Sequence, residues 1–134
     1  MKKKIRYLAF FLLISFFNSS FSYAELKWKR IGANIDGDVY YIDEFSIKRV
    51  GNKVYYFTLS DYVRPSDTGG DLSAKIYQEV NCSDLSFRYL KDFYYLEPMG
   101  NGEPSTIYDK VGEWTDNVKG SIGEAVALYA CNYK

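Results

Sequence analysis

KVYYFTLSDY, Lys53 to Tyr62, is the stretch that decides the fold. Its β-branched and aromatic residues suit a pleated strand. A period of two sets Tyr55, Phe57 and Leu59 against Val54, Tyr56 and Thr58. Both faces are apolar, so the strand is central and needs cover on both sides. Upstream, Gly51-Asn52 marks a turn, and Ile47 to Val50 extends the short strand Val39 to Asp43 after a break. Asp36-Gly37 is the favoured centre of a two-residue hairpin, and Leu26 to Ile31 alternates before it.

Downstream, Arg64 to Asp71 reads as a loop with Pro65, Asp67, Gly69 and Gly70. Leu72 to Cys82 alternates again, with Ala74, Ile76, Gln78, Val80 and Cys82 sharing one face. Ser83-Asp84 turns the chain into an aromatic strand, Ser86 to Leu96. Strict alternation there sets Phe87, Tyr89, Phe93 and Tyr95 against Leu90, Tyr94 and Leu96. Pro98 to Pro104 is a loop, and Ile107 to Trp114 holds at most a short strand. The period then changes. Ser121 and Glu124 have capping-box spacing, and Ile122, Val126 and Tyr129 form a stripe on a helix to about Cys131.

Strands followed by one helix predict an α+β fold: an antiparallel sheet of five or six strands with a C-terminal helix on one face. One helix cannot cover both faces. A second copy of the chain is the natural cover for the aromatic face, which predicts a homodimer.

The first 24 residues read as an export signal. Lys2, Lys3, Lys4 and Arg6 are its positive region, Tyr7 to Phe17 its apolar region, and Ser22-Tyr23-Ala24 a cleavage site before Glu25. The apolar run is shorter than the ~20 residues of a membrane span. Residues 25–134 are expected to form one exported domain, in the periplasm or at the cell surface, with no membrane span. No cysteine follows the cleavage point to take a lipid, so no lipid anchor is expected.

Cleavage removes four of the 17 basic residues and none of the 17 acidic ones, leaving a net charge of −4. That argues against a nucleic-acid partner. In an oxidising compartment the only two cysteines, Cys82 and Cys131, are most simply one structural disulfide. The chain-entropy model gives it about 4 kcal/mol. It would tie the helix to the strand ending at Cys82.

Catalytic sets are absent. No histidine means no Ser-His or Cys-His nucleophile and no His-assisted metal site. Gly69-Gly70 is followed by Asp71, not by the lysine of a phosphate loop. Asn34, Asp36 and Asp38 open like a calcium loop, but Val39 and Phe45 stand where Gly and Glu are needed. No catalytic residue, cofactor or metal ligand is assigned, and the chain is expected not to be an enzyme. An enzyme would have to use carboxylates or tyrosines in the Pro65–Asp71 or Pro98–Pro104 loops.

An ordered set of short segments then points to a family. Tyr40-Tyr41-Ile42-Asp43, Ser46-Ile47, Ser73-Ala74-Lys75, Asn81-Cys82, Lys91-Asp92-Phe93-Tyr94, Gly100 and Ala130-Cys131-Asn132-Tyr133 resemble the surface-adhesin protein E family of Gram-negative bacteria. The resemblance implies a dimer and, in adhesive members, binding of host matrix or serum proteins. Adhesive members carry a lipid-bearing cysteine where this chain has Ala24-Glu25. The segment matching the family's basic ligand-binding loop is Pro65 to Leu72, with Asp67 and Asp71 and no Lys or Arg. Pro65, Asp67 and Asp71 are the candidate ligand-loop residues. The alternative is a periplasmic structural or accessory protein of the envelope, acting as a dimer.

Overall fold

The computed structural model describes residues 28–134; the signal sequence and the Ala24–Glu25 cleavage site lie outside them. Seven strands follow in order: β1 (Trp28–Ala33), β2 (Val39–Asp43), β3 (Lys48–Val50), β4 (Lys53–Asp61), β5 (Ser73–Asn81), β6 (Phe87–Tyr95) and β7 (Thr106–Tyr108), then a helix, α1 (Ile122–Asn132). All pairings are antiparallel, in the order β1-β2-β4-β5-β6-β7. β3 also pairs with β4. β2 runs along the C-terminal half of β4 and β3 along the N-terminal half, so the two act as one strand interrupted at Glu44–Ser46. Asp43 accepts from the Phe45 amide (3.1 Å), and Ser46 Oγ accepts from the Phe57 amide (2.8 Å), which closes the gap.

The β1–β2 hairpin is one residue longer than the two-residue turn expected from Asp-Gly. Asn34 and Asp38 close it, and Asn34 Oδ1 accepts from the amides of Asp36 (3.0 Å) and Asp38 (2.9 Å). This side-chain turn leaves Gly37 at φ 92°, a conformation few other residues adopt.

α1 packs over β1, β2 and β4. The core beneath it is Ile42, Val54, Tyr56, Val80, Val126, Ala127 and Ala130. Val126 belongs to the expected stripe, while Ile122 and Tyr129 are only half-buried. Ala127 and Ala130 take the deepest places because small side chains let the helix sit close to the sheet. At the other end of that contact, a Cβ on Gly32 would lie 2.8 Å from Ile122 Cδ1. Ser121 Oγ accepts from the Glu124 amide (3.2 Å), and Glu124 reaches back to the Gly120 amide (3.1 Å), one residue earlier than a standard capping box. Cys82 and Cys131 form a disulfide with a Cα–Cα distance of 5.7 Å, which ties α1 to the end of β5 as expected.

One expectation fails at β6. Tyr77 of β5 faces Lys91, but Gln78 faces Tyr89, so Leu90 is an unpaired bulge residue. The alternation inverts there. Phe87 and Tyr89 lie beside Val80 and Gln78 on the helix face, whereas Phe93 and Tyr95 lie beside Lys75 and Ser73 on the opposite face. The four aromatics therefore do not share a side.

Candidate functional site

Antiparallel alternation brings the 34–38 turn, the 62–72 loop and the 96–105 loop to one end of the sheet. Aspartate carboxylates fasten them together. Asp38 accepts from the Val63 amide (2.9 Å) and from Asn34 Nδ2 (3.0 Å). Asp71 is 7% exposed and accepts from Ser66 Oγ (3.3 Å) and Ser105 Oγ (2.8 Å). Asp61 accepts from the Met99 amide (2.6 Å), and Ser73 Oγ accepts from the Gly100 amide (2.8 Å). Exposed Asp36, Asp67, Glu97 and Glu103 remain on a firmly held, acidic end.

A groove of about 550 Å3 between the first two loops is lined by Asp36, Asp38, Arg64, Pro65, Ser66 and Asp67. Two of the three candidate loop residues, Pro65 and Asp67, thus share it with the 34–38 turn. Asp71 instead lines a shallow depression with Tyr94, Thr106 and Tyr108.

Beside this end, between α1 and the sheet, a narrow cleft of about 70 Å3 is lined by Tyr40, Thr58, Ser60, Ile76, Gln78, Phe87, Tyr89, Asn117, Gly123 and Val126. Gln78 Nε2 donates to the hydroxyl of buried Tyr56 (2.6 Å). Asp92 pairs with Ile76 across β5–β6 and so stands on the same face of the sheet as the cleft. Burial pushes Asp92 above the usual carboxylate range. Burial raises Tyr89 and Tyr94 too, reinforced by the charge of Asp92. Burial also drives Tyr62 far up, with Tyr94, Tyr40 and Tyr89 among its electrostatic neighbours. These phenols stay protonated at neutral pH. Sequence reading missed this group, because Tyr89 and Tyr94 share a face only through the bulge at Leu90.

The opposite face carries the aromatic stripe expected from β4. Phe57 packs on Tyr77 (ring centroids 4.8 Å apart) and reaches Phe93 (6.5 Å), and Tyr77 reaches Tyr55 (6.5 Å). The Glu44–Ser46 turn and the Pro98–Gly100 turn reach β4 on its two flanks. The stripe between them stays half-buried. Glu79, 1% exposed, closes one end of the stripe with hydrogen bonds or ion pairs from Tyr55 (2.8 Å), Arg88 (2.6 Å) and Lys53 (3.1 Å). Burial pushes its carboxyl up, but these partners outweigh burial and hold it below the usual range. Arg88 and Lys53 also lie over the Trp114 ring, 4.7 and 5.2 Å from its centroid.

A family model for surface-adhesin protein E matches residues 28–132. In structure, the chain is similar to crystal form II of Haemophilus influenzae protein E, with a TM-score of 0.58 and 22% identity over 81% of this chain and 90% of that one. It is also similar to protein E from non-typeable Haemophilus influenzae, with a TM-score of 0.52 and 20% identity over 84% and 80% of the two chains. Among curated proteins, none matches the chain in sequence. Among the described residues, no helix is long and apolar enough to cross a membrane.

Proposed function

The chain belongs to the surface-adhesin protein E family, and from that membership we propose that it is an exported, non-enzymatic binding protein whose ligand is a host matrix or serum protein. The observation that supports this best is the loop end: three loops joined to one another by aspartate hydrogen bonds, with a groove between two of them and, among the described residues, no catalytic set beside it. A rigid frame loses little entropy on binding. Exposed Asp36, Asp67, Glu97 and Glu103 would steer basic segments of a ligand and repel acidic ones. The partner is then selected by charge of the opposite sign to that drawn by a basic loop.

Adhesion requires exposure. Labelling of intact cells with a membrane-impermeant amine reagent should modify the protein. Labelling only after the outer membrane is breached rules out the adhesin reading.

The half-buried stripe of Tyr55, Phe57, Tyr77 and Phe93 supports a second reading, a periplasmic accessory protein working as a homodimer through that face. The cleaved domain would run from Glu25 to Lys134 in either case.

A further inference from the structure

The depression at Asp71 holds a fixed carboxylate that a missing side chain leaves uncovered. Asp71 is 7% exposed, and two hydroxyls set its position: Ser66 Oγ donates to Oδ2 (3.3 Å) and Ser105 Oγ to Oδ1 (2.8 Å). Each carboxylate oxygen offers about two acceptor sites, so one remains on each. Gly69 lies beside it. A Cβ there would stand 2.6 Å from Asp71 Oδ2, closer than side-chain atoms pack, so every other residue would displace or cover that oxygen. Gly69 is not among the positive-φ glycines, so the close approach to Asp71, rather than the turn, calls for glycine.

Tyrosines form the other side. Thr106 pairs with Tyr94 and Tyr108 with Asp92, so Tyr94, Thr106 and Tyr108 share one face at the β7 edge. The two tyrosine rings meet edge to face, with centroids 5.8 Å apart and planes at 83°, and Tyr108 stays 58% exposed. The Thr68 and Thr106 hydroxyls also belong to the lining, and among the described residues neither makes a hydrogen bond, so both can exchange water for a ligand. The depression measures about 340 Å3, at the lower end of the ~300–1,000 Å3 of small-molecule sites.

A pyranose ring presents a polar rim of hydroxyls and an apolar face of C–H groups. The depression offers the complement: exposed ring surface, a carboxylate that only accepts, and two threonine hydroxyls that donate and accept. A metal cation fits less well, because both carboxylate oxygens already accept from serines and no second carboxylate lines the depression. We propose that the depression formed by Thr68, Gly69, Asp71, Tyr94, Thr106 and Tyr108 binds one pyranose ring of a neutral glycan. Asp71 accepts from two adjacent sugar hydroxyls, Tyr108 stacks on the C–H face, and the open side lets the glycan continue into solvent. The glycan can belong to a host glycoprotein or to the cell envelope. The site shares no lining residue with the groove at Asp36 and Asp67, so it is tested apart from the reading of that groove.

Titration of the oxidised domain with the methyl β-glycosides of galactose, glucose, mannose and N-acetylglucosamine, followed by the Gly69 amide and the Tyr94 and Tyr108 ring resonances, tests the proposal. At least one glycoside should bind saturably, with a Kd on the order of 1 mM, and move those signals most. Cyclohexanol, which keeps a six-membered ring but not the adjacent hydroxyls, should bind at least about tenfold more weakly. Gly69→Ala, which crowds the carboxylate, and Tyr108→Ala, which removes the exposed ring, should each lose at least about tenfold. Absence of saturable binding for all four glycosides overturns the proposal, as do shifts confined to residues outside the depression. Both are read on the unaltered protein, whether or not a variant folds. Undiminished affinity in folded Gly69→Ala and Tyr108→Ala variants overturns it too. Two further arms identify the source: tighter binding of N-acetyllactosamine than of a peptidoglycan disaccharide supports a host glycoprotein, and the reverse order supports the envelope.

Discussion

At the residue scale, two carboxylates behave in opposite ways, and each has a pH signature. Glu79 is held below its ordinary range by Tyr55, Arg88 and Lys53 against the cost of burial. Its contribution is complete above the unfolded carboxyl value, near 4.3, and is lost as pH falls through the lowered folded value. Glu79→Ala removes the acceptor for all three donors and should destabilise the domain by about 3 kcal/mol, measured by urea unfolding at pH 7. The difference from wild type should shrink as the pH is lowered towards 3. Asp92 is the reverse case. Its raised value means that the fold gives up stability as pH rises through it. Asp92→Asn should therefore be neutral or stabilising at pH 7, by less than about 1 kcal/mol because the group remains partly hydrated. A clear loss of stability would show that Asp92 has a structural partner. Neither role was readable beforehand, because burial and partners follow from strand register rather than from residue type.

At the scale of elements, local chemistry was legible and non-local chemistry was not. Alternation placed β4 and β5 within a residue or two, and the Ser121–Glu124 spacing placed the start of α1. Those signals lie inside a few consecutive residues. The bulge at Leu90 is set by how β6 registers on β5, so it left no local mark and moved Phe87 and Tyr89 to the helix face. Two expectations belong here. Ser121→Ala should cost about 1 kcal/mol by removing the acceptor for the Glu124 amide, read as a lowered thermal midpoint. Reduction of Cys82–Cys131, or Cys82→Ser with Cys131→Ser, should cost about 2–5 kcal/mol, because the bridge joins residues 49 positions apart and fastens the helix C-terminus. The Arg49 side chain also donates to the Cys131 carbonyl, so part of the helix contact should survive reduction.

At the scale of the whole molecule, the sheet has two faces with different fates. α1 closes part of one and leaves the tyrosine cleft; the other keeps an aromatic stripe between two single-turn helices. If that stripe is a dimer face, sedimentation velocity should show a dimer, and Tyr77→Lys should convert it to a folded monomer. A wild-type monomer at all concentrations would show that the stripe is merely tolerated by water. The candidate loop was legible from its composition, since Pro, Gly and Asp mark exposed turns. Its function as a frame was not, because Asp71 looks like any loop carboxylate until Ser105 arrives from a distant part of the chain.

The acidic loop end is proposed to bind a host protein. Solid-phase binding of the oxidised domain to matrix and serum proteins, with a charge-matched protein as control, measures it most directly. The expected result is saturable binding that weakens with salt and falls at least about tenfold in Asp36→Lys with Asp67→Lys, at unchanged thermal stability. No saturable binding, or binding indifferent to that charge reversal, would contradict it.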